Sequence, residues 1–322
     1  MKRIILGGYW FACAAILCAQ TPATPPDTTL NNLVHTPGYA CSTWGELPCQ
    51  KFGKGKKTLL LLPGWGFDAR VFQGFIEKNL EKYTMYALTL PGYGDTKAYP
   101  MPPVESSYGD GNWTNGVLKG LLHLIESEKL QRPVLVAHFA VATHVAMEMA
   151  ARHSEKLEKV VIVGGPAVFY NAPPYDTMSY SSRVRSVDQY LAPRWFKTVR
   201  PETWLQGNFP PTLYALDSLL GRQLFEQANT APLPVQIRYL CEAWAADFSF
   251  YEQVKIPVLA LLPDLPARLF AYPGIVYPKW FTNDWHKLAA KNPLIQLKLV
   301  EGSGCNVMNE KWEALINLLD AF

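Results

Sequence analysis

The chain has no cysteine pair two residues apart, no HExxH pattern and no cluster of histidine and acidic residues at ligand spacing. Metal centres of those kinds are excluded, and no metal or cofactor is expected. Charged residues are scarce, 18% of 322, against about a quarter in an ordinary globular chain. With 49% hydrophobic and 13% aromatic residues, the sequence is too apolar for disorder and carries ample material for a core. The formal net charge is +3, and Lys2 and Arg3 supply two of those charges. The remaining +1 gives no electrostatic basis for holding nucleic acid or acidic lipid. No internal repeat is visible. Beyond the first twenty residues, no apolar stretch is long enough to cross a bilayer.

What is present begins with "MKRIILGGYWFACAAILCAQTPATPPD", a basic start, a short apolar run and then small and Pro-rich residues. That order is the layout of a secretory signal peptide over 1–19, followed by a Thr/Pro/Asn linker over 20–36. It predicts a secreted or periplasmic protein, or a membrane-anchored one if the segment stays uncleaved. Cys41 and Cys49 flank "STWGELP", a predicted hairpin; in an oxidising compartment they either bridge across it or remain two half-buried thiols. Asn112-Trp113-Thr114 is a glycosylation sequon in a predicted loop, meaningful only in an exported eukaryotic chain.

From residue 37 onward, strand-like and helix-like segments alternate. "KTLLLLPG" (57–64) and "TMYALTLPG" (84–92) are continuous apolar runs ending in glycine turns, as in strands buried on both faces. Further strands are expected at "PVLVAH", "KVVIV", "PVLALL" and "IQLKLV", with a helix at 113–129 and another closing the chain. The pattern predicts an α/β fold, a mostly parallel sheet flanked by helices. The rhythm breaks between 167 and 252, where no strand is evident and aromatic residues such as Tyr175, Tyr180, Trp195, Trp204, Tyr214 and Phe225 accumulate. This reads as a helical cap inserted between two parts of the core domain, 37–166 and 253–322. Such a cap would roof the carboxyl ends of the strands, where ligands bind in open α/β sheets.

In this order the segments resemble the α/β-hydrolase superfamily, in its capped esterase, lipase and peroxidase-like branch. "LLLLPGWGFDARVF" is similar to the loop that usually reads HGxG, and "LTLPGYGDT" to the turn after the next strand. "PVLVAHFAVATHVAMEMAARHSEKLEKVVIVGGP" (133–166) resembles the nucleophile elbow with its helix and following strand. "IQLKLVEGSGCNVMNEKWEALINLLDAF" resembles the histidine strand, its loop and the last helix. The resemblance implies a hydrolase fold with an inserted helical cap. It also implies catalytic positions that this chain fills with other residues. The elbow, G-x-S-x-G in the family, reads Ala137-His138-Phe139-Ala140-Val141, so the serine position is Phe139. The general-base histidine position is Cys305, and the histidine of HGxG is Pro63. Asp264 is the acid candidate, or else a turn residue.

Nucleophile and base are therefore both replaced. With no serine to present, the elbow is expected to relax, and the Phe139 ring to fill or floor the space of a substrate carbonyl. Trp65 and Ala140 are the backbone positions of an oxyanion hole. Together with Gly66, His138 and Phe139 they are the expected lining for a small apolar ligand beneath the cap. A Cys305–His138 dyad is the sharper alternative to a buried inert thiol. His123, His144, His153 and His286 read as helix-surface or packing residues. Three functions compete: a pseudoenzyme binding a small apolar molecule, an esterase-like enzyme with a non-serine mechanism, and a scaffold for a protein partner.

Overall fold

The apolar runs become strands covered on both faces. In the computed structural model, which describes residues 39–40, 46–169, 175–207, 210–267, 269–271 and 275–322, seven strands form one sheet. They are β1 (Cys49–Phe52), β2 (Lys57–Leu62), β3 (Tyr83–Leu88), β4 (Val134–His138), β5 (Val160–Val163), β6 (Val258–Pro263) and β7 (Ile295–Val300). Their order is β7-β6-β5-β4-β2-β3-β1, with every neighbouring pair parallel except the antiparallel β1–β3 edge. Leu59–Leu62, all of β4 and all of β5 are buried, as central strands between two helical layers must be. A mostly parallel sheet flanked by helices is thus the architecture, as expected. The segments assigned to signal peptide and linker, and Cys41, lie outside the described residues. Tyr39–Ala40 and Glu46–Leu47 pair antiparallel on either side of the expected hairpin turn.

The strand order reverses beside β2. β2 leads outward to β3, and the chain then returns across β2 to β4 before stepping the other way. Loops leaving β2 and β4 therefore diverge and open a crevice at the carboxyl ends of the strands. Five later features stand around it: residues 63–67, 139–140, 164–165, Asp264 and the loop 301–306.

Among the described residues, six helices reach ten residues: α1 (Asn112–Ser127), α2 (Val141–Arg152), α3 (Ser218–Ala228), α4 (Leu233–Ala245), α5 (Tyr277–Lys291) and α6 (Trp312–Ala321). Trp113, Val117, Leu121 and Leu124 of α1 are fully buried, the 3–4 spacing of one helical face. α2 departs from that amphipathic pattern and is buried nearly all round, with Ala142, Ala146 and Ala150 letting neighbours approach closely. Between β5 and β6, the described residues hold helices and no strand. Four short ones, Tyr180–Ser186, Ala192–Thr198, Pro201–Gly207 and Pro211–Tyr214, precede α3 and α4.

α4 ties this helical layer to the core. The Trp65 indole donates to the Gln236 carbonyl (3.0 Å), and the Tyr239 hydroxyl donates to the Pro91 carbonyl (3.2 Å). Glu242 is fully buried and caps α1 from outside. It accepts Trp113 N–H (3.0 Å), Thr114 N–H (2.8 Å), the Thr114 hydroxyl (2.9 Å) and Arg238 Nε (2.8 Å). A carboxylate at a helix N-terminus meets both the unpaired N–H groups and the positive end of the dipole. The sequon expected in a loop is therefore the first turn of a helix, with Trp113 and Thr114 buried.

Glu242→Ala should destabilise the protein by about 3–5 kcal/mol, because it leaves Arg238 charged and buried with no counter-charge. Thr114→Val should cost less, on the order of 1–2 kcal/mol. Urea unfolding of both variants measures the difference; equal costs would show that Glu242 is not the organising partner.

Candidate functional site

The turn from β4 into α2 keeps the strained shape of a nucleophile elbow. Phe139 has φ +60° and Ala140 has φ +50°, ψ −115°, and neither is glycine. The expectation of a relaxed turn is thereby corrected. The cause is crowding rather than local preference. A Cβ on Gly64 would sit 2.0 Å from the His138 carbonyl oxygen and 2.1 Å from that of Phe139. The loop after β2 thus presses backbone to backbone on the elbow, which only glycine permits. Gly164, at the end of β5, holds the loop of Cys305 equally close, at 1.9 Å from such a Cβ to the Cys305 carbonyl oxygen.

Phe139 packs into protein. Its ring lies 5.8 Å, edge-on, from Phe169 and 6.0 Å, stacked, from Phe281 of α5, and Trp280 closes the cluster against both. His138, alternating to another direction, meets Phe67 at 5.3 Å, and Phe67 meets Tyr214 at 5.8 Å. Trp65, Phe139 and Ala140 expose 1, 2 and 4% of their surface, and His138 exposes none. Trp65, Phe139 and Ala140, expected to line an apolar chamber, are thus packed into the hydrophobic core. Gly66 is also buried, against Ala228 at the end of α3.

Cys305 sits at the histidine position, on the loop after β7. Its N–H donates to the Leu213 carbonyl (2.8 Å), and Asn306 N–H and Nδ2 donate to the Tyr214 carbonyl (both 3.0 Å). Glu310 joins the two sides, accepting Leu216 N–H (2.7 Å) and Asp217 N–H (3.1 Å) through Oε1, and Gly304 N–H through Oε2. The cap segment 211–217 is thereby fastened onto the loop. Burial, with a smaller contribution from Glu310, pushes the Cys305 thiol well above its ordinary range. A thiol held neutral is a poor nucleophile. Nor does His138 serve as its base. Burial drives the imidazole down to about 3, and the nearby Cys305 backbone offsets this only slightly. Neither ring nitrogen makes a hydrogen bond of normal geometry among the described residues.

Asp264 takes the turn-residue role. Its N–H donates to the Ser303 carbonyl (2.9 Å), and its carboxylate accepts Gly302 N–H (3.0 Å), tying the end of β6 to the loop after β7. Cys49, the described member of the proposed bridge, is a buried thiol pushed up to about 12 by burial and then by Glu128.

A cavity of about 230 Å³ lies between α2, from Val141 onward, the end of α4 and the loop before α1. Sequence reading missed it, taking His144 as packing. A signal was there: His144, Glu148 and Arg152 recur every four residues along an otherwise apolar helix, which puts one polar stripe on one face.

Fold and elbow together define a hydrolase-type architecture with Phe139 at the tip of the elbow and Cys305 in the loop after β7. The chain belongs to the alpha/beta hydrolase family, whose model matches residues 59–317. It is 40% identical over 56 residues to the pimeloyl-[acyl-carrier protein] methyl ester esterase of Proteus mirabilis, covering 17% of this chain and 22% of that one. It is 25% identical over 121 residues to the enzyme of the same name from Pectobacterium atrosepticum, covering 37% and 41%. The chain thus spans less than half the length of these curated relatives. An esterase from Thermogutta terrifontis superposes with TM-score 0.64 at 17% identity, over 89% of this chain and 97% of that one. A bromoperoxidase from Bacillus anthracis does so with TM-score 0.60 at 18% identity, over 88% and 99%. These likenesses establish the fold.

Two outcomes follow from the buried groups. His138 and His144 are held at about 3 and about 4, so from pH 6.5 downward the unfolded chain takes up protons that the folded chain refuses. Stability should fall between pH 7 and 5, by about 2 kcal/mol for each histidine. The slope, measured by denaturant titration, should drop by about half in His138→Phe. An unchanged slope would disprove the assignment. Cys305 should resist iodoacetamide at neutral pH in the native protein and react after denaturation; rapid native labelling would show an accessible thiolate.

Proposed function

We propose that this chain is a pseudoenzyme, an exported alpha/beta hydrolase-family protein that acts by binding rather than by turnover. The observation that carries the reading is Phe139, an aromatic ring packed against Phe169 and Phe281 at the tip of an elbow that still has its strained backbone. Acyl transfer needs a nucleophilic atom there, an imidazole to take its proton, and donors for the oxyanion. Phe139 offers no such atom, and Cys305 stands where the imidazole would be. The ester hydrolysis named for the curated relatives is therefore not carried over. The order of Lys2, Arg3 and the apolar run of 4–19 supports export.

An esterase with a non-serine mechanism is disfavoured, because burial keeps Cys305 a thiol and His138 a neutral ring. Between the two binding roles, the closed packing beneath the cap favours a site elsewhere on the protein. A small apolar ligand at Trp65, Phe139 and Ala140 would require segment 211–217 to release its bonds to Cys305, Asn306 and Glu310.

The purified native chain should show no turnover of short or medium acyl esters and no labelling by a fluorophosphonate. Phe139→Ser alone should stay inert for want of a base. Phe139→Ser with Cys305→His should regain weak, fluorophosphonate-sensitive hydrolysis, since the elbow already has its shape. Saturable ester hydrolysis by the native chain would overturn the proposal.

A further inference from the structure

The cavity of about 230 Å³ has room for on the order of seven waters, or one small organic molecule of the same bulk. Its floor is the polar stripe of α2. Glu148 is 8% exposed, and its Oε1 accepts Arg152 Nη1 at 2.8 Å. Its Oε2 makes no hydrogen bond; the nearest polar partner is His144 Nε2, at 3.9 Å. His144 in turn uses Nδ1 for the Tyr251 hydroxyl at 2.9 Å, which leaves Nε2 facing the cavity without a bond. Burial holds this ring down at about 4, so it is neutral at physiological pH and carries one N–H. With that proton on Nδ1, Nε2 and Glu148 Oε2 are two acceptors side by side. With it on Nε2, the carboxylate oxygen is still too far away to receive it. Either tautomer leaves the carboxylate oxygen facing the cavity, where water or a ligand with N–H donors can meet it.

The surrounding charge selects the sign of that partner. Asp110 and Asp247 stand at the rim of the cavity, and Glu242 lies behind it. Glu242 is saturated by α1 and Arg238, so the helix N-terminus is already neutralised and offers nothing to an anion. Arg152 is committed to Glu148 and stacks its guanidinium 4.3 Å from the Phe250 ring centroid. Among the described residues, no three acidic, histidine or cysteine side chains converge to hold a metal ion. Two acceptors 3.9 Å apart on an acidic cavity wall thus favour N–H donors on an organic body.

We propose that this cavity binds a small organic cation with N–H donors, a primary amine or a guanidinium compound. Its charged end donates to Glu148 Oε2 and His144 Nε2, and its carbon body rests on Val141 and Tyr180. This site stands independently of whether the elbow is inert.

Isothermal titration calorimetry of the full chain with 1,4-diaminobutane and with guanidinium tests it, with tetramethylammonium as a cation of similar charge lacking N–H groups. The expected result is one site for at least one of the two donors, weakened about tenfold or more in Glu148→Gln and at least twofold in Asp247→Asn. Tetramethylammonium should not bind in the same range. Asp247 is partly exposed, so Asp247→Asn remains informative if Glu148→Gln misfolds. No heat from either donor up to roughly 10 mM would overturn the proposal. So would equal binding of tetramethylammonium, or affinity unchanged in both variants.

Discussion

The backbone crossing from β4 to α2 is the constraint on which the rest of the structure hangs. Two consecutive residues, Phe139 and Ala140, hold positive φ although each has a Cβ. Such conformations cost about 1–2 kcal/mol per residue and persist only where the surroundings impose them. Here the surroundings do so from both sides. Gly64 brings the β2 loop into backbone contact with residues 138 and 139, and Gly165 lies against the Phe139 backbone. With β4 and nearly all of α2 buried, strand and helix are fixed independently, and two residues must join them. The elbow's shape is thus a property of the layers it connects, whatever side chain stands at its tip.

The residue at the tip of this shape decides what occupies the crevice. An aromatic ring at the tip needs apolar neighbours, and Phe169, Trp280 and Phe281 supply them edge-on and stacked. On the opposite side, the loop of Cys305 is bound to segment 211–217. Its amides bond the carbonyls of Leu213 and Tyr214, and Glu310 fastens the next residues of the cap. A closed centre of this kind desolvates whatever titratable group it contains. The same burial raises the Cys305 thiol and lowers His138, removing thiolate and imidazolium together.

Polar chemistry has not left the seam between core and cap; it lies farther along α2. His144 and Glu148 are one helical turn apart on a face that α4 does not fully cover, whereas Glu242 is spent on capping α1. Two buried carboxylates therefore have opposite roles, decided by how many donors each one meets.

The sequence by itself determined the architecture. Continuous apolar runs ending in glycine read as strands covered on both faces, and the aromatic stretch between them shows no strand pattern. It also determined which residues stand at the elbow, Ala137 to Val141 with Phe139 at the tip, because residue identity needs no coordinates. What only the tertiary structure decided was the consequence of placing Phe139 there. A local reading expects Phe139 to relax its turn and floor a chamber, since strain without a nucleophile has no evident local cause. The cause is long-range, in the contacts of Gly64 and Gly165 with the elbow. The β1 edge strand and the cap of α1 by Glu242, 128 residues from Thr114, were beyond sequence reading for the same reason. His144 and Glu148 gave a visible four-residue stripe, but whether such a stripe faces solvent, core or cavity depends on which helix is packed across from it, and that is set by the fold of the whole chain.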